Sequence, residues 1–373
     1  MKRDFIPLCE PFIGEEEKQA VAEVLDSKWI SQGEKVKEFE RACASYLGSR
    51  NAVAVSSCTA ALHLCLLAEG IKGNVVVPDF TVCTPNAVVH AGATPILVDV
   101  NPSTYTIDYA EANWALEKYR GAAIIPVHLF GQACDLSYLM GDTLLIEDAA
   151  GAFGAELYDK KVGTIGHYGC FSFDARKILT IGEGGLIVTN NDEKADWLRM
   201  ARSHGGNTDI WKRHYDLAYQ DVHFPIVGLN YRMTDYQAAI GLAQLKKIDF
   251  ILKRRREIAK IYTDLLGKVK EITTPYVPDY SKHVFQSYVI RLKNTSEISL
   301  DDLITLLRQN KVQATYGSRA MHLEAFKNLP CYRSDYGPFH STELAKRTVA
   351  LPIFPGMTDE EVHYVCSCMG KVE

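Results

Sequence analysis

Lys177 is the residue whose setting in the chain most clearly suits chemistry. It lies within CFSFDARKILTIGEGGLIVTN, Cys170 to Asn190. A Ser-Phe strand pattern (Cys170 to Phe173) gives way there to an irregular segment, a glycine turn (Gly182 to Gly185) and a second strand, Leu186 to Thr189. A lysine held between two buried strands is partly desolvated, which disfavours its ammonium form. An uncharged amine is what a Schiff-base nucleophile requires. A solvated loop lysine would carry the same local sequence, so the reading depends on three other segments.

The first holds Asp148. Thr143 to Ile146 is a short apolar β-type run with Glu147-Asp148-Ala149-Ala150 at its carboxyl end, the end at which open α/β sheets bind ligands. A buried carboxylate there could keep a pyridine nitrogen protonated, as pyridoxal phosphate requires to act as an electron sink. Ala149, Ala150, Gly151 and Ala152 leave room for a flat ring. Alternatively, Glu147-Asp148 caps the next element. The second segment is Asn51 to Ala68: a strand (Ala52 to Val55), then Ser56-Ser57-Cys58-Thr59 turning into a helix over Ala60 to Ala68. Free amides at a helix N-terminus bind phosphate, although Ser57 or Thr59 would equally serve as an ordinary cap. Ser172, five residues before Lys177, could add a phosphate ligand. The third is Gly228 to Met233, which presents Asn230 and Arg232 ahead of a T-x-x-Q capping box, Thr234 to Gln237. Ala239, Ile240, Leu242, Leu245 and Ile248 continue that helix at helical spacing. This segment suits phosphate contacts or forms an exposed loop.

The elements that must position these residues alternate. Helical patterns over Glu15 to Leu25 and Lys35 to Leu47 precede strand-helix alternation from Ala52 to about Thr189, which predicts a mainly parallel sheet sandwiched by helices. A chain of 373 residues favours two domains: a large α/β domain over 1–250 and a smaller C-terminal α+β domain over 251–373. The loop-rich stretch Tyr316 to Pro338, with His322, is expected to line the entrance. A net charge of −5 argues against broad binding to nucleic acid or membrane surfaces. The basic run Lys253 to Arg256 falls late on the long helix predicted from Thr234, where it reads as a solvated face or a diphosphate contact. No apolar run reaches the roughly 20 residues that span a bilayer. MKRDFIPLCEPF is not followed by an apolar signal region. The ten scattered cysteines then read as reduced thiols of a cytoplasmic protein. Cys366 and Cys368 lack a second pair, and His204, His214, His283 and His322 lack a short ligand spacing, so no metal is expected.

In this order the segments resemble the DegT/StrS-type sugar aminotransferases over essentially the whole chain. The resemblance runs from IPLCEPFIGEEEKQAVAEVLDSKWISQG through SCTAALHLCL, VVVPDFT, ATPILVDVNPSTYTID, IPVHLFGQACD, LIEDAAGAFGAE, the Lys177 segment, RSHG and GLNYRMTDYQAAIGLAQL, to HLEAF and VALPIFPGMTDEEV. It implies pyridoxal-phosphate enzymes of the aspartate-aminotransferase fold (fold type I) acting on nucleotide-linked keto-sugars. By that resemblance Lys177 matches the Schiff-base lysine and proton shuttle, and Asp148 the partner of the pyridine nitrogen. Cys58, Thr59 and Ser172 match phosphate-cradling positions. Asn230 matches an asparagine reaching the cofactor phosphate of a neighbouring subunit, which implies a homodimer with shared active sites. Arg232 is expected near the substrate diphosphate and His322 near the sugar. L-glutamate would be the amino donor, pyridoxamine phosphate the intermediate, and a 4-keto-6-deoxy sugar the favoured acceptor, in ping-pong order.

Two departures stand out. The family usually has Gln or Glu three residues after the aspartate, near the ring hydroxyl of the cofactor; here that residue is Gly151. An aromatic usually follows the threonine of PDFT and stacks on the ring; here it is Val82, in a segment one residue short, so that Phe80 would have to shift to stack. An aminotransferase for an inosose or a 3-keto-sugar fits the same residues. A sugar dehydratase of this fold is disfavoured by Lys177, which such relatives replace, usually by His. A non-catalytic binding relative is disfavoured by Lys177, Asp148 and Ser172 together.

Overall fold

Strands buried on both faces must be apolar on both, and the sequence from Asn51 to Thr189 meets that condition. The structure, a computed structural model, describes residues 4–139, 141–207, 222–328, 332–333 and 339–370. Its main sheet has eight strands in the order Asn51–Val55, Gly185–Thr189, Tyr168–Ser172, Leu144–Asp148, Ala123–Ile124, Asn74–Pro78, Thr94–Val98 and Tyr332–Arg333. All neighbours are parallel except the two pairs made by Gly185–Thr189, so that strand alone runs against the rest. Side chains alternate between the two faces. Ala52, Ala54, Phe171, Leu186 and Val188 meet the helices Glu34–Leu47 and Asp235–Lys246. Val53, Val55, Cys170 and Ile187 meet Cys58–Ala68, Thr84–His90 and Asp192–Ala201. The fold is α/β with a mostly parallel sheet between helical layers.

After this sheet the chain builds a smaller α+β unit. Its four-stranded antiparallel sheet runs Ile272–Thr273, Tyr288–Leu292, Thr348–Leu351, Thr315–Tyr316. The helices Ile248–Leu266, Leu300–Gln309 and Asp359–Met369 pack on it. The two units share elements. Ser281–Lys282 pairs with Glu156–Leu157, and Ile6 bridges to Val312. Residue 250, the expected boundary, falls in the first turn of Ile248–Leu266. Ile248, Ile251 and Leu252 of this helix join the core under the main sheet, and Ile258, Ala259, Tyr262 and Leu266 join the smaller core.

The helix expected to run unbroken from Thr234 is two helices, parted at Lys247 (φ −102°, ψ 2°). No Gly or Pro marks the break. Tertiary contacts make it: Lys247 Nζ pairs with the buried Glu17 at 2.6 Å, and Gln244 Nε2 donates to Phe12 O at 2.7 Å.

Within the basic run Lys253 is exposed, while the three arginines are engaged by the protein itself. Arg254 donates to Met357 O (2.6 Å) and Asp359 Oδ1 (2.7 Å), and Arg256 Nε to His283 O (3.1 Å). Arg255, 2 % exposed, reaches the carbonyls of Phe285 (3.0 Å), Gln286 (3.2 Å) and Ile353 (3.2 Å). The Phe285 and Gln286 carbonyls belong to one turn and that of Ile353 to a separate segment, and a guanidinium supplies several donors from one side chain. Burial lowers the Arg255 pKa to about 10. In the same turn Phe285 takes φ 48° while its N–H donates to His283 Nδ1 at 2.8 Å. Burial, with Arg256 beside it, lowers the His283 pKa to about 3.

Arg255→Met keeps the length of the side chain and removes its donors. It should cost about 3 kcal/mol in urea unfolding, and an unchanged midpoint would mean the clamp is idle. His283 titrates near 6.5 in an unfolded chain and far lower when folded, so the unfolded state takes up the proton first. Its contribution to stability is therefore full above about pH 6.5 and is lost as pH falls towards about 3. His283→Asn should flatten that part of a stability–pH profile.

Candidate active site

Lys177 sits in the hairpin that joins Tyr168–Ser172 to the reversed strand Gly185–Thr189. Phe173 N donates to Gly184 O (2.9 Å) and Ile181 N to Phe173 O (3.0 Å), closing the hairpin neck. Ile178, Leu179 and Ile181 are buried beneath it, which turns Lys177 outward, half-buried, into a cleft between the two units. Among the described residues its amine has no hydrogen-bonded or ion-paired partner.

Asp148 reaches the same cleft from the end of its strand. It is 4 % exposed; Oδ2 accepts from Thr84 Oγ1 at 2.6 Å, and Oδ1 accepts from Ala150 N at 3.1 Å, with Cys58 Sγ at 3.9 Å. The adjacent Glu147 points to the other face and is fully buried. Its oxygens accept from Gly163 N (2.6 Å), Ile165 N (2.7 Å), Gly166 N (2.6 Å) and His128 Nε2 (2.9 Å). Because His128 Nδ1 accepts from Cys134 N at 3.0 Å, the ring proton sits on Nε2. The two carboxylates thus divide the work: Glu147 secures the strand end and Asp148 faces the cleft.

The cleft encloses about 370 Å³. Besides Lys177 and Asp148 its wall includes Cys83, Gly151, Arg176, Gln286 and Arg319. Arg319 lies over the Tyr316 ring, 4.0 Å from its centroid. At Cys83, burial and the Asp148 carboxylate push the thiol up, while Lys177 and Arg176 oppose them. Burial raises the Cys58 thiol well above its usual range, and Asp148 adds to the rise. Ser57, not Thr59, caps the helix Cys58–Ala68, accepting from Ala60 N at 3.1 Å.

The other expected residues lie apart from the cleft wall. Ser172 is half-buried at its strand end, paired with Gly185. Asn230 is exposed and bridges only to Ser203, and Arg232 is half-buried beyond Tyr231, whose carbonyl accepts from Ser56 N at 2.9 Å. Phe80 does not turn towards the cleft. It is fully buried against Tyr105 and Phe130, with centroids 6.3 and 6.5 Å away, and Val82 and Cys83 form the wall where an aromatic was sought. His322 is likewise inside the protein. Its Nδ1 donates to the fully buried Asp79 (2.6 Å), its N–H to the same carboxylate (2.9 Å), and its Nε2 meets Thr342 Oγ1 (3.2 Å). It is held there by the buried Asp79 carboxylate, which also accepts from Ser341 Oγ at 2.6 Å. The loop-rich stretch expected at the entrance is described only in part, since 329–331 and 334–338 lie outside the described residues, as does His214. Among the described residues no group of three or more His, Cys, Asp or Glu could hold a metal ion, and no helix is long and apolar enough to cross a membrane.

Sequence reasoning missed Thr84 and Gln286. Thr84 carried a faint signal, a Thr-Pro opening a helix. Gln286 carried none.

The chain belongs to the DegT/DnrJ/EryC1/StrS aminotransferase family, whose profile matches residues 11–370. It is 39% identical to the GDP-perosamine synthase of Caulobacter vibrioides, over 98% of this chain and 98% of that protein. It is 35% identical to the spore coat polysaccharide biosynthesis protein SpsC of Bacillus subtilis, over 100% and 98% respectively. Among solved structures, Spr1654 of Streptococcus pneumoniae in its PMP-form superposes with a TM-score of 0.88 at 26% identity, covering 100% of this chain and 99% of that one. The chain is an aminotransferase, and its relatives include a nucleotide-sugar enzyme.

Thr84→Val is isosteric and removes one donor from a buried carboxylate. It should lower stability by about 2 kcal/mol, while Thr84→Ser should restore it; equal midpoints in chemical unfolding would show that Asp148 does not depend on Thr84.

Proposed function

We propose that this family member is a cytoplasmic, pyridoxal-phosphate-dependent enzyme that moves an amino group from L-glutamate to a nucleotide-linked keto-sugar, a 4-keto-6-deoxy sugar by preference. The observation that carries the reading is one cleft holding both an unpaired, half-buried lysine and a buried carboxylate at a strand end. The fit to the cofactor rests on the same residues. Asp148 already takes donors from Thr84 and Ala150 and offers its remaining acceptor capacity to a ring N–H, and the small residues after it leave a flat space. When bound, pyridoxal phosphate supplies the electron sink that stores the amino group between donor and acceptor.

The residues of the chain do the rest. Lys177 Nζ is the nucleophile that holds the cofactor. With the cofactor bound, the same Nζ would be placed to take a proton from the donor Cα and later to return one to the acceptor carbon. The Asp148 carboxylate would keep the ring nitrogen of the bound cofactor protonated. Arg176 and Arg319 give the cleft positive charge, which suits a dicarboxylate donor and a diphosphate-bearing acceptor. A relative named GDP-perosamine synthase supports the sugar-nucleotide acceptor. The amides at the start of Cys58–Ala68, with Thr59 and Ser172, would take the cofactor phosphate. Asn230 and the exposed Val227 lie on a segment that a second copy would cover, so a homodimer with Asn230 reaching the partner's phosphate fits. A monomeric mass for the active, cofactor-loaded protein would rule that sharing out.

The test is the visible absorption of the cofactor-loaded protein before and after L-glutamate. The wild type should show a lysine-bound band that glutamate bleaches. Lys177→Ala should lose the band and the turnover while unfolding at the wild-type urea midpoint. Turnover retained by Lys177→Ala would sink the assignment.

A further inference from the structure

Gly151 is a glycine for which its own backbone gives no reason. Its φ lies outside the left-handed region that favours glycine. What it meets is a side chain from the other unit. A Cβ at residue 151 would stand 3.1 Å from Gln286 Oε1 and 3.7 Å from Gln286 Cδ and Cγ. The missing side chain next to Asp148 is therefore space that Gln286 uses, and both residues line the cleft with Lys177.

Several features hold Gln286 there. Its Nε2 donates to Arg176 O at 3.3 Å, the carbonyl just before Lys177, and Ser287 Oγ donates to its Oε1 at 3.2 Å. Its carbonyl is gripped by Arg255 at 3.2 Å. Gly131, at φ 96°, lets the segment approach: a Cβ there would lie 2.7 Å from Val284 Cγ2, 3.1 Å from Gln286 N and 3.2 Å from Gly151 O. The stretches around Gly131, Gly151, Arg176 and Arg255 thus converge on Gln286, whose side-chain amide bridges from the smaller unit to the lysine turn. A half-buried amide has four hydrogen-bonding positions. These two long bonds leave capacity directed at the cleft.

We propose that Gln286 is a positioning residue that completes the cofactor site from across the cleft, its amide occupying the place vacated at Gly151 to hydrogen-bond the bound cofactor and steady the Lys177 turn. This rests on the reading of the cleft as a pyridoxal-phosphate site. It also gives the smaller unit a direct part in binding the cofactor.

The test is titration of pyridoxal phosphate into apoprotein, read by the visible lysine-bound band, alongside urea unfolding of each apoprotein. Gln286→Ala should raise the Kd about tenfold, the equivalent of one good hydrogen bond, and leave the apo unfolding midpoint unchanged. Gly151→Gln alone should also weaken binding, because the new side chain collides with Gln286. Gly151→Gln combined with Gln286→Ala should recover most of the affinity, an interaction that a pair of independent sites would not give. The proposal falls if Gln286→Ala binds as the wild type does, if the double variant is as weak as the sum of the single ones, or if the loss of affinity is matched by a loss of apo stability. If the wild type itself forms no band, it is the underlying cofactor reading that fails.

Discussion

A carboxylate taken out of water needs a donor for each lone pair it exposes to the interior, and the arrangement of this molecule turns on how Glu147 meets that need. Three backbone amides from one loop and the Nε2 proton of His128 converge on it. The loop and the His128 segment are thereby fixed to the last turn of the strand. His128 N also donates to Asp148 O at 2.9 Å, so the next residue is held in register as well. Side chains alternate along a strand, and with Glu147 committed to one face Asp148 has to emerge on the other. The acid in the cleft owes its position to a neighbour that never touches a ligand.

What the sequence made legible was the material that is local. The alternation of apolar residues gives the sheet and its two helical layers, and the strand-turn-strand pattern around Lys177 is a hairpin whose ends are close in the chain. Asp148 is readable for the same reason, as the last residue of an apolar run. What was not legible depends on contacts between distant segments. Nothing around Gln286 announces that Gly151, 135 positions earlier, has made room for it. Phe80 and His322 carry suitable chemistry in suitable company, yet the first is drawn into an aromatic cluster and the second is claimed by Asp79. The run Lys253 to Arg256 shows the limit well. Charge on a helix indicates the need for a polar partner, and sequence alone does not say whether that partner is water, a ligand or the carbonyls of a neighbouring turn.

The same comparison explains how the chain accommodates its two departures from the family pattern. At Val82 the missing aromatic is not replaced from nearby: the wall there is made of Val82 and Cys83, and Thr84 turns inward to Asp148. At Gly151 the local residue has shrunk while a remote one has moved in. The two places differ in what fills them: Val82 and Cys83 form the wall in one, and the Gln286 side chain approaches from a remote segment in the other.

The helix Ile248–Leu266 contributes side chains to both hydrophobic cores, and its arginines bind the turn between them. A helix of 19 residues cannot be half melted without forfeiting the contacts of whichever end is lost. The two units are therefore joined through one shared helix as well as through the strand pair Ser281–Lys282 and Glu156–Leu157.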